Sequence, residues 1–98
     1  MLTLTQLTPL VGTRFSLHGA AEAEGALAVT LVEASALPAH PGAVRVPFSL
    51  LFEGPAQPLL PQAIYGLAHA ALGTVPLDVF LVPVSRSPQG TRYEAVFN

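Results

Sequence analysis

The chain has 98 residues, no cysteine and a formal net charge of −2, which arises from six acidic residues and four arginines. This length suits one domain with its own hydrophobic core, and the absence of cysteine excludes disulfides, thiolate metal ligands and a cysteine nucleophile. Four scattered arginines without a lysine do not form the basic stripe that neutralises phosphates, so we expect no nucleic-acid partner.

The balance of apolar and charged residues is unusual for a small domain. Only 10% of the residues are charged, compared with about 25% in ordinary soluble domains, and 51% are apolar. Two explanations stay open: alanine inflates the apolar fraction, or part of the surface is buried in an oligomer or larger complex.

No targeting or membrane segment is predicted. The N-terminus lacks the basic and apolar regions of a signal peptide. A transmembrane helix needs ~20 continuous apolar residues, and the long apolar segment at residues 63–84 is interrupted by glycine, proline and aspartate. We therefore expect a soluble protein, made in the cytoplasm, that could be incorporated into an extracellular or phage-like assembly.

Residues 5–12 are predicted to form a short helix or turn, capped by Thr3 or Thr5 and ended at Gly12. Pro9 fits only the first turn of a helix, so the helix should be short. The apolar residues of this segment form one stripe that can lie on a sheet or plug the end of a barrel. They are Leu4, Leu7, Leu10 and Val11.

Two strands are predicted next, at residues 13–18 and 26–37, joined by a polar turn. Phe15 and Leu17 alternate with polar residues in the first, which is typical of a half-buried strand. β-branched residues favour a strand over a helix in the second. Glu33 and Ser35 fall on its otherwise apolar face, which indicates a β-bulge or a strand leaving the core.

The clearest alternation of the chain covers residues 44–53. Pro47 lacks a backbone N–H, so this part should lie at a sheet edge or beside a bulge. Leu51 interrupts the polar outer positions. The residues predicted to point inward are Val44, Val46, Phe48, Leu50 and Phe52.

A proline-rich loop then leads to a short strand at residues 63–69, with Tyr65 and Leu67 on one face, and a tight connection at residues 70–74. The last two strands, residues 77–84 and 92–98, are predicted to form a hairpin around a loop at residues 85–91.

The first strand of this hairpin is apolar on both faces. Leu77, Val79 and Leu81 can face one side, and the intervening residues face the other. This pattern predicts burial on both faces, inside the domain or against a partner. The second strand alternates more cleanly, with Tyr93, Ala95 and Phe97 on one face.

Six short strands separated by turns predict a single all-β domain over residues 1–98. The expected architecture is a small antiparallel barrel or sandwich with a short N-terminal helix or turn.

The sequence contains no constellation typical of catalysis. His18, His40 and His69 lack metal-ligand spacing and are expected to be independent turn or surface histidines, although convergence in space could bind zinc. Glu53 and Asp78 could form an acid–base pair, but isolated strand carboxylates are the expected interpretation. We expect no enzymatic activity, no metal and no cofactor.

Four motifs carry a family resemblance: PFSLLF at residues 47–52, LPQ at 60–62, FLVPV at 80–84 and YEAVFN at 93–98. In these motifs the chain resembles the members of an uncharacterised bacterial family, whose proteins have about 100 residues. Members carry glycine where this chain has Ala63. The family is associated with phage-tail-collar-like fibre proteins, so the resemblance implies a tail- or fibre-type assembly.

Our first hypothesis is a non-enzymatic structural or protein-interaction module, either a homo-oligomer or an accessory or assembly subunit of a phage-tail-like or fibre-type complex. It would dock through sheet edges or an apolar face. The candidate partner-contact residues are Leu51, Phe80, Val82 and Val84.

Two other functions stay open. One is a small-ligand-binding β-barrel with a pocket lined by Phe48, Phe52 and Tyr65. The other is a hydrolase that uses Glu53, Asp78 and a histidine, which requires these side chains to converge in one cleft.

Overall fold

The computed structural model describes residues 3–18, 26–39, 41–42, 46–56, 59–73 and 76–97. The chain begins with helix α1 (Leu4–Leu7), which continues into a 3-10 helix (Thr8–Leu10), and a second 3-10 helix (Ala70–Leu72) follows the fourth strand. The strands are β1 (Arg14–His18), β2 (Ala26–Ala36), β3 (Phe48–Gly54), β4 (Ala63–Ala68), β5 (Leu77–Ser87) and β6 (Gly90–Phe97). Within these described ranges, no helix has the length and apolar character needed to cross a membrane.

The six strands form a closed antiparallel barrel in the order β1-β2-β3-β6-β5-β4, with β4 pairing back to β1. The predicted all-β class is therefore confirmed, and the architecture is the barrel rather than the sandwich. Closure gives every strand of the barrel a hydrogen-bonded neighbour on both sides, which reduces the free edges that open sheets expose.

The two longest strands turn the corners of the barrel. β2 pairs with β1 as far as Thr30 and then with β3, whereas β5 pairs with β4 as far as Leu81 and then with β6. Each has a register shift, between Leu31 and Glu33 in β2 and between Pro83 and Ser85 in β5. A bulge bends a strand and increases its twist. The bulge predicted in β2 is thus confirmed.

The core consists of the alternate residues of each strand that point into the barrel. Phe15 and Phe52 meet there edge to face, with ring centroids 5.4 Å apart. Leu7, from α1, belongs to the same core. The fully or almost fully buried strand residues are Phe15, Leu17, Val29, Leu31, Phe48, Leu50, Phe52, Tyr65, Leu67, Val79, Leu81, Tyr93 and Ala95.

Helix α1 has the N-terminal cap that the sequence predicted. Thr3 and Gln6 form a capping box, in which the Thr3 side chain accepts from the Gln6 N–H and the Gln6 side chain accepts from the Thr3 N–H. Leu7 is fully buried, and Leu4 and Leu10 pack partly against the core, but Val11 is exposed. The six strands surround the interior of the barrel. The Leu7 side chain can therefore enter this interior only through an open end of the barrel.

The predicted start of the third strand is corrected. β3 begins at Phe48, and Val46 is 56% exposed rather than inward, because Pro47 offers no N–H to the ladder and pairs only through its carbonyl with the N–H of Leu37. Val44 and the predicted turn at residues 19–25 lie outside the described residues.

The hairpin of β5 and β6 is longer than predicted, since pairing continues from Val82↔Glu94 to Ser87↔Gly90 and leaves only residues 88–89 as the turn. The polar side chains of this extension do not interfere with pairing, because ladder hydrogen bonds use only the backbone. The predicted tight connection after β4 contains a 3-10 helix.

Thr91 is fully buried, and its hydroxyl has no hydrogen-bond partner in the described part of the chain. A buried hydroxyl without a partner costs about 1–3 kcal/mol. Thr91→Val replaces it with a methyl of similar volume, so we expect the free energy of unfolding, measured by urea denaturation, to rise by about 1 kcal/mol. The control Thr30→Val alters a half-buried position and should change stability by less than about 0.5 kcal/mol. A lower free energy of unfolding for Thr91→Val would contradict the conclusion that the Thr91 hydroxyl lacks a hydrogen-bond partner.

Candidate functional site

The outer face of β5 is apolar and exposed. Val79 and Leu81 point into the barrel and are buried, so Phe80 and Val82 lie on the outside. The Phe80 side chain is 51% exposed, and Val82 is half-buried. The expectation that this strand is buried on both faces within its own domain is therefore wrong. The alternative, burial against a partner, stays a prediction.

Neighbouring strands extend this apolar surface. Phe80 pairs directly across the ladder with Ile64 of β4, which is 62% exposed. On β6, Val96 is 49% exposed, and on β3 the half-buried Leu51 lies on the same outer face. We call this surface the outer patch, defined by Leu51, Ile64, Phe80, Val82 and Val96.

One carboxylate lies inside the outer patch. Glu94 pairs with Val82 on one side and with Leu51 on the other, so apolar side chains flank it in both directions across the sheet. Glu94 is itself half-buried. The ion pair found among the described residues joins Arg92 Nε to Glu53 Oε2 at 3.5 Å and does not include Glu94. Glu94 is thus an acidic group in an apolar setting.

The Arg92–Glu53 pair borders the outer patch. Both side chains are nearly half exposed, at 47% and 41%. Such an exposed pair contributes ~0–1 kcal/mol to stability because water screens it. Because Glu53 belongs to β3, the ion pair of Arg92 joins β6 to β3 and does not cross the β5–β6 hairpin.

The structure places the four predicted contact residues close together but not equivalently. Leu51, Phe80 and Val82 belong to the outer patch. Val84 is the extra residue of the β5 bulge and is 49% exposed. The outer face of β1, which pairs with β4 on the side away from β5, instead presents Arg14, Ser16 and His18. Within the described strands, the exposed large apolar residues lie on β4, β5 and β6, and others such as Val11, Val46 and Leu59 lie outside the strands.

Sequence reasoning did not single out Ile64 or Val96. Each occupies an outward position in a predicted alternation, Ile64 before Tyr65 and Val96 between Ala95 and Phe97. Their outward direction could have been deduced from that period of two. Their proximity to Phe80 and Glu94 could not, because it depends on which strands pair and in which register.

His69 has a structural role at one end of the barrel. Its Nδ1 accepts the Ala71 N–H at 3.0 Å and so caps the second 3-10 helix. Its Nε2 lies 3.0 Å from the Thr13 hydroxyl, which donates to the Leu10 carbonyl at 2.6 Å. Since Nδ1 accepts, this network requires neutral His69 to carry its proton on Nε2 and to donate to Thr13. His69 therefore links the end of β4 to the N-terminal segment.

Of the other two histidines, the structure describes only His18, which does not join His69 in a metal site. His18 is exposed at the end of β1, and His40 lies outside the described residues. Within the described ranges, no group of three or more histidine and acidic side chains could hold a metal ion.

The carboxylates proposed for hydrolysis do not converge. Glu53 lies near the end of β3 and faces Arg92, which pairs in turn with Ser85 near one end of β5. Asp78 lies near the opposite end of β5, paired with Gly66. The two acids therefore face solvent in different regions of the outer surface, and the cleft that the hydrolase hypothesis requires is not formed by them.

The aromatic residues proposed to line a ligand pocket are packed core residues. Phe52 packs against Phe15, Phe48 stacks on Phe97 with centroids 4.8 Å apart, and the Tyr65 hydroxyl donates to the Pro61 carbonyl at 2.6 Å. Side chains that fill a small barrel in this way serve packing, so the interior surfaces named for the ligand hypothesis are already occupied.

Comparison with known proteins identifies a family. A family model described as Domain of unknown function (DUF6916) matches residues 2–97. No curated protein and no solved structure matches the chain. The predicted resemblance to an uncharacterised family is confirmed, whereas the association with fibre proteins stays a prediction. Because the match extends over almost the whole sequence, the chain belongs to the family described as Domain of unknown function (DUF6916).

Proposed function

We propose that this domain is a non-enzymatic protein-interaction module, an accessory or assembly subunit that docks through the outer patch. The observation that carries the proposal is the Ile64–Phe80 pair, two large apolar side chains directly opposite each other and both more than half exposed. Contiguous exposed apolar surface is typical of protein-binding sites, whereas isolated apolar side chains are ordinary. A fibre- or tail-type complex is the setting that the family resemblance implies.

The energetics favour docking by the face. Complete burial of a phenylalanine or isoleucine side chain is worth about 1.5–3 kcal/mol. Aromatic side chains of this kind act as anchors at the centres of interfaces. The alternative route, addition of a strand to a sheet edge, requires an unpaired edge strand. Each described strand of the closed barrel has a neighbour on both sides, and pairing on one side only is confined to parts of strands, as in the two halves of β5. The outer patch therefore offers a more continuous surface for docking than these short lengths of edge.

The partner can be sought by site-specific photo-crosslinking. A photoreactive phenylalanine analogue at position 80 is expected to crosslink one identifiable protein in the native host. The matched control is the same analogue at position 28, which is exposed on β2 and lies outside the outer patch. Equal crosslinking yields and equal products at the two positions would overturn the proposal.

The captured protein then allows a direct affinity measurement. With both proteins purified, Phe80→Ser is expected to weaken binding by about 2 kcal/mol, or roughly 30-fold in Kd. Its own free energy of unfolding should fall by at most about 1 kcal/mol, the worth of a cross-strand pair. The control Val11→Ser removes an apolar side chain that is 42% exposed outside the patch and should leave Kd unchanged. An unaltered Kd for Phe80→Ser would contradict docking through this surface.

A further inference from the structure

We infer that the partner is a different protein, not a second copy of this chain, and that it presents an arginine or lysine among apolar residues opposite Glu94. This inference rests on the proposed function, because it concerns what the outer patch binds. It depends on the position of one charge within an apolar surface.

Glu94 lies in the row formed by Val82, Glu94 and Leu51, so a partner that covers these two apolar side chains also covers the carboxylate. Removing a carboxylate from water is costly unless a charged or hydrogen-bonding partner replaces the water. Within the described part of the chain Glu94 has no such partner, since the neighbouring Arg92 is paired with Glu53. The docking protein must therefore supply the compensating group, and a cation matches this site best.

A second copy of the chain does not meet this requirement. In a two-fold dimer centred on the outer patch, residues near the axis face their own equivalents, so the two Glu94 carboxylates would approach each other. Two like charges in a surface that loses its water oppose association. Glu94 thus both discourages self-association of the patch and selects for a basic partner.

The chain itself provides the probe for this chemistry. The variant Glu94→Arg carries the same apolar side chains around a cation, which is the surface that we infer for the partner. We expect wild type and Glu94→Arg each to be monomeric alone and to form a 1:1 complex when mixed. The association constant of the mixture should exceed that of either protein alone by at least about tenfold. Sedimentation equilibrium over a concentration series measures the association constants of wild type, of Glu94→Arg and of their mixture.

Three controls separate charge pairing from non-specific association. Glu94→Gln, mixed with wild type, lacks the cation and should not reproduce the gain. Adding salt should weaken the wild-type and Glu94→Arg complex, since exposed charges are screened. Phe80→Ser in either partner should also weaken it, because the apolar side chains supply the contact area.

Each other result has a distinct meaning. Dimers of wild type alone that are as tight as the mixture would overturn the inference but leave the patch as a binding surface for a second copy. If wild type, Glu94→Arg and their mixture were all monomeric, the inference would be overturned. Crosslinking at position 80 would then decide the proposed function independently.

Discussion

Replacing Gly90 with alanine is expected to lower the free energy of unfolding by about 3 kcal/mol, measured by urea denaturation. A Cβ at this position would lie 2.5 Å from the carbonyl oxygen of Gly54, closer than Cβ atoms approach other atoms in proteins, so something must shift. The obstacle is backbone, which cannot rotate away as a side chain can. Relief would require β6 and β3 to separate at the position where Thr91 pairs with Gly54.

The surroundings of Gly54 prevent easy relaxation. A Cβ on Gly54 would itself lie 3.1 Å from a methyl group of Val29 and 3.5 Å from the Tyr93 ring, so this part of β3 is held closely by core residues. Gln89→Ala, one residue earlier in the exposed turn, is the matched control and should change stability by less than about 0.5 kcal/mol. A Gly90→Ala protein as stable as this control would show that the two strands are not held at this spacing.

Gly90 also illustrates a limit of sequence interpretation. Beside Pro88 it reads as a turn residue, and the predicted loop included it. In the structure it is the first residue of β6, and the glycines with positive φ in the described ranges are others, Gly12, Gly42 and Gly73. Gly90 is therefore required for space and not for a special backbone conformation. That requirement comes from β3, distant in sequence, so local reasoning could not identify it.

Features with a local physical cause were predictable. The period of two placed Phe15 and Leu17 inside, and two polar residues on the wrong face of β2 revealed its bulge. Failures occurred where the local pattern was ambiguous. An apolar strand such as β5 gives the same sequence pattern whether its second face is buried in the domain or exposed for a partner.

The candidate site was predictable only in part for the same reason. Phe80 and Val82 were identified because the outer positions of one strand can be read from that strand alone. Joining them to Ile64 and Glu94 requires the pairings of β4 with β5 and of β5 with β6. Glu94 in particular reads as an ordinary solvated residue of an alternating strand until Val82 and Leu51 are placed on either side of it.

Leu7→Ala is expected to reduce the free energy of unfolding by about 3 kcal/mol, within the range of about 2–5 kcal/mol for leucine truncation in a core. Leu7 is fully buried although it belongs to a helix of only one turn. Such a helix has no stability of its own, so packing must hold it in place. The loss should combine the removed apolar area with a cavity at the end of the barrel.

The same experiment tests whether the barrel needs its N-terminal segment. Thr5→Ala, on an exposed position of α1, is the control and should alter urea unfolding by less than about 0.5 kcal/mol. If Leu7→Ala were equally mild, the strands alone would form a sufficient core and α1 would be a dispensable attachment. A large loss would instead make α1 part of the folding unit, because Leu7 fills the end of an interior that the six strands cannot close by themselves.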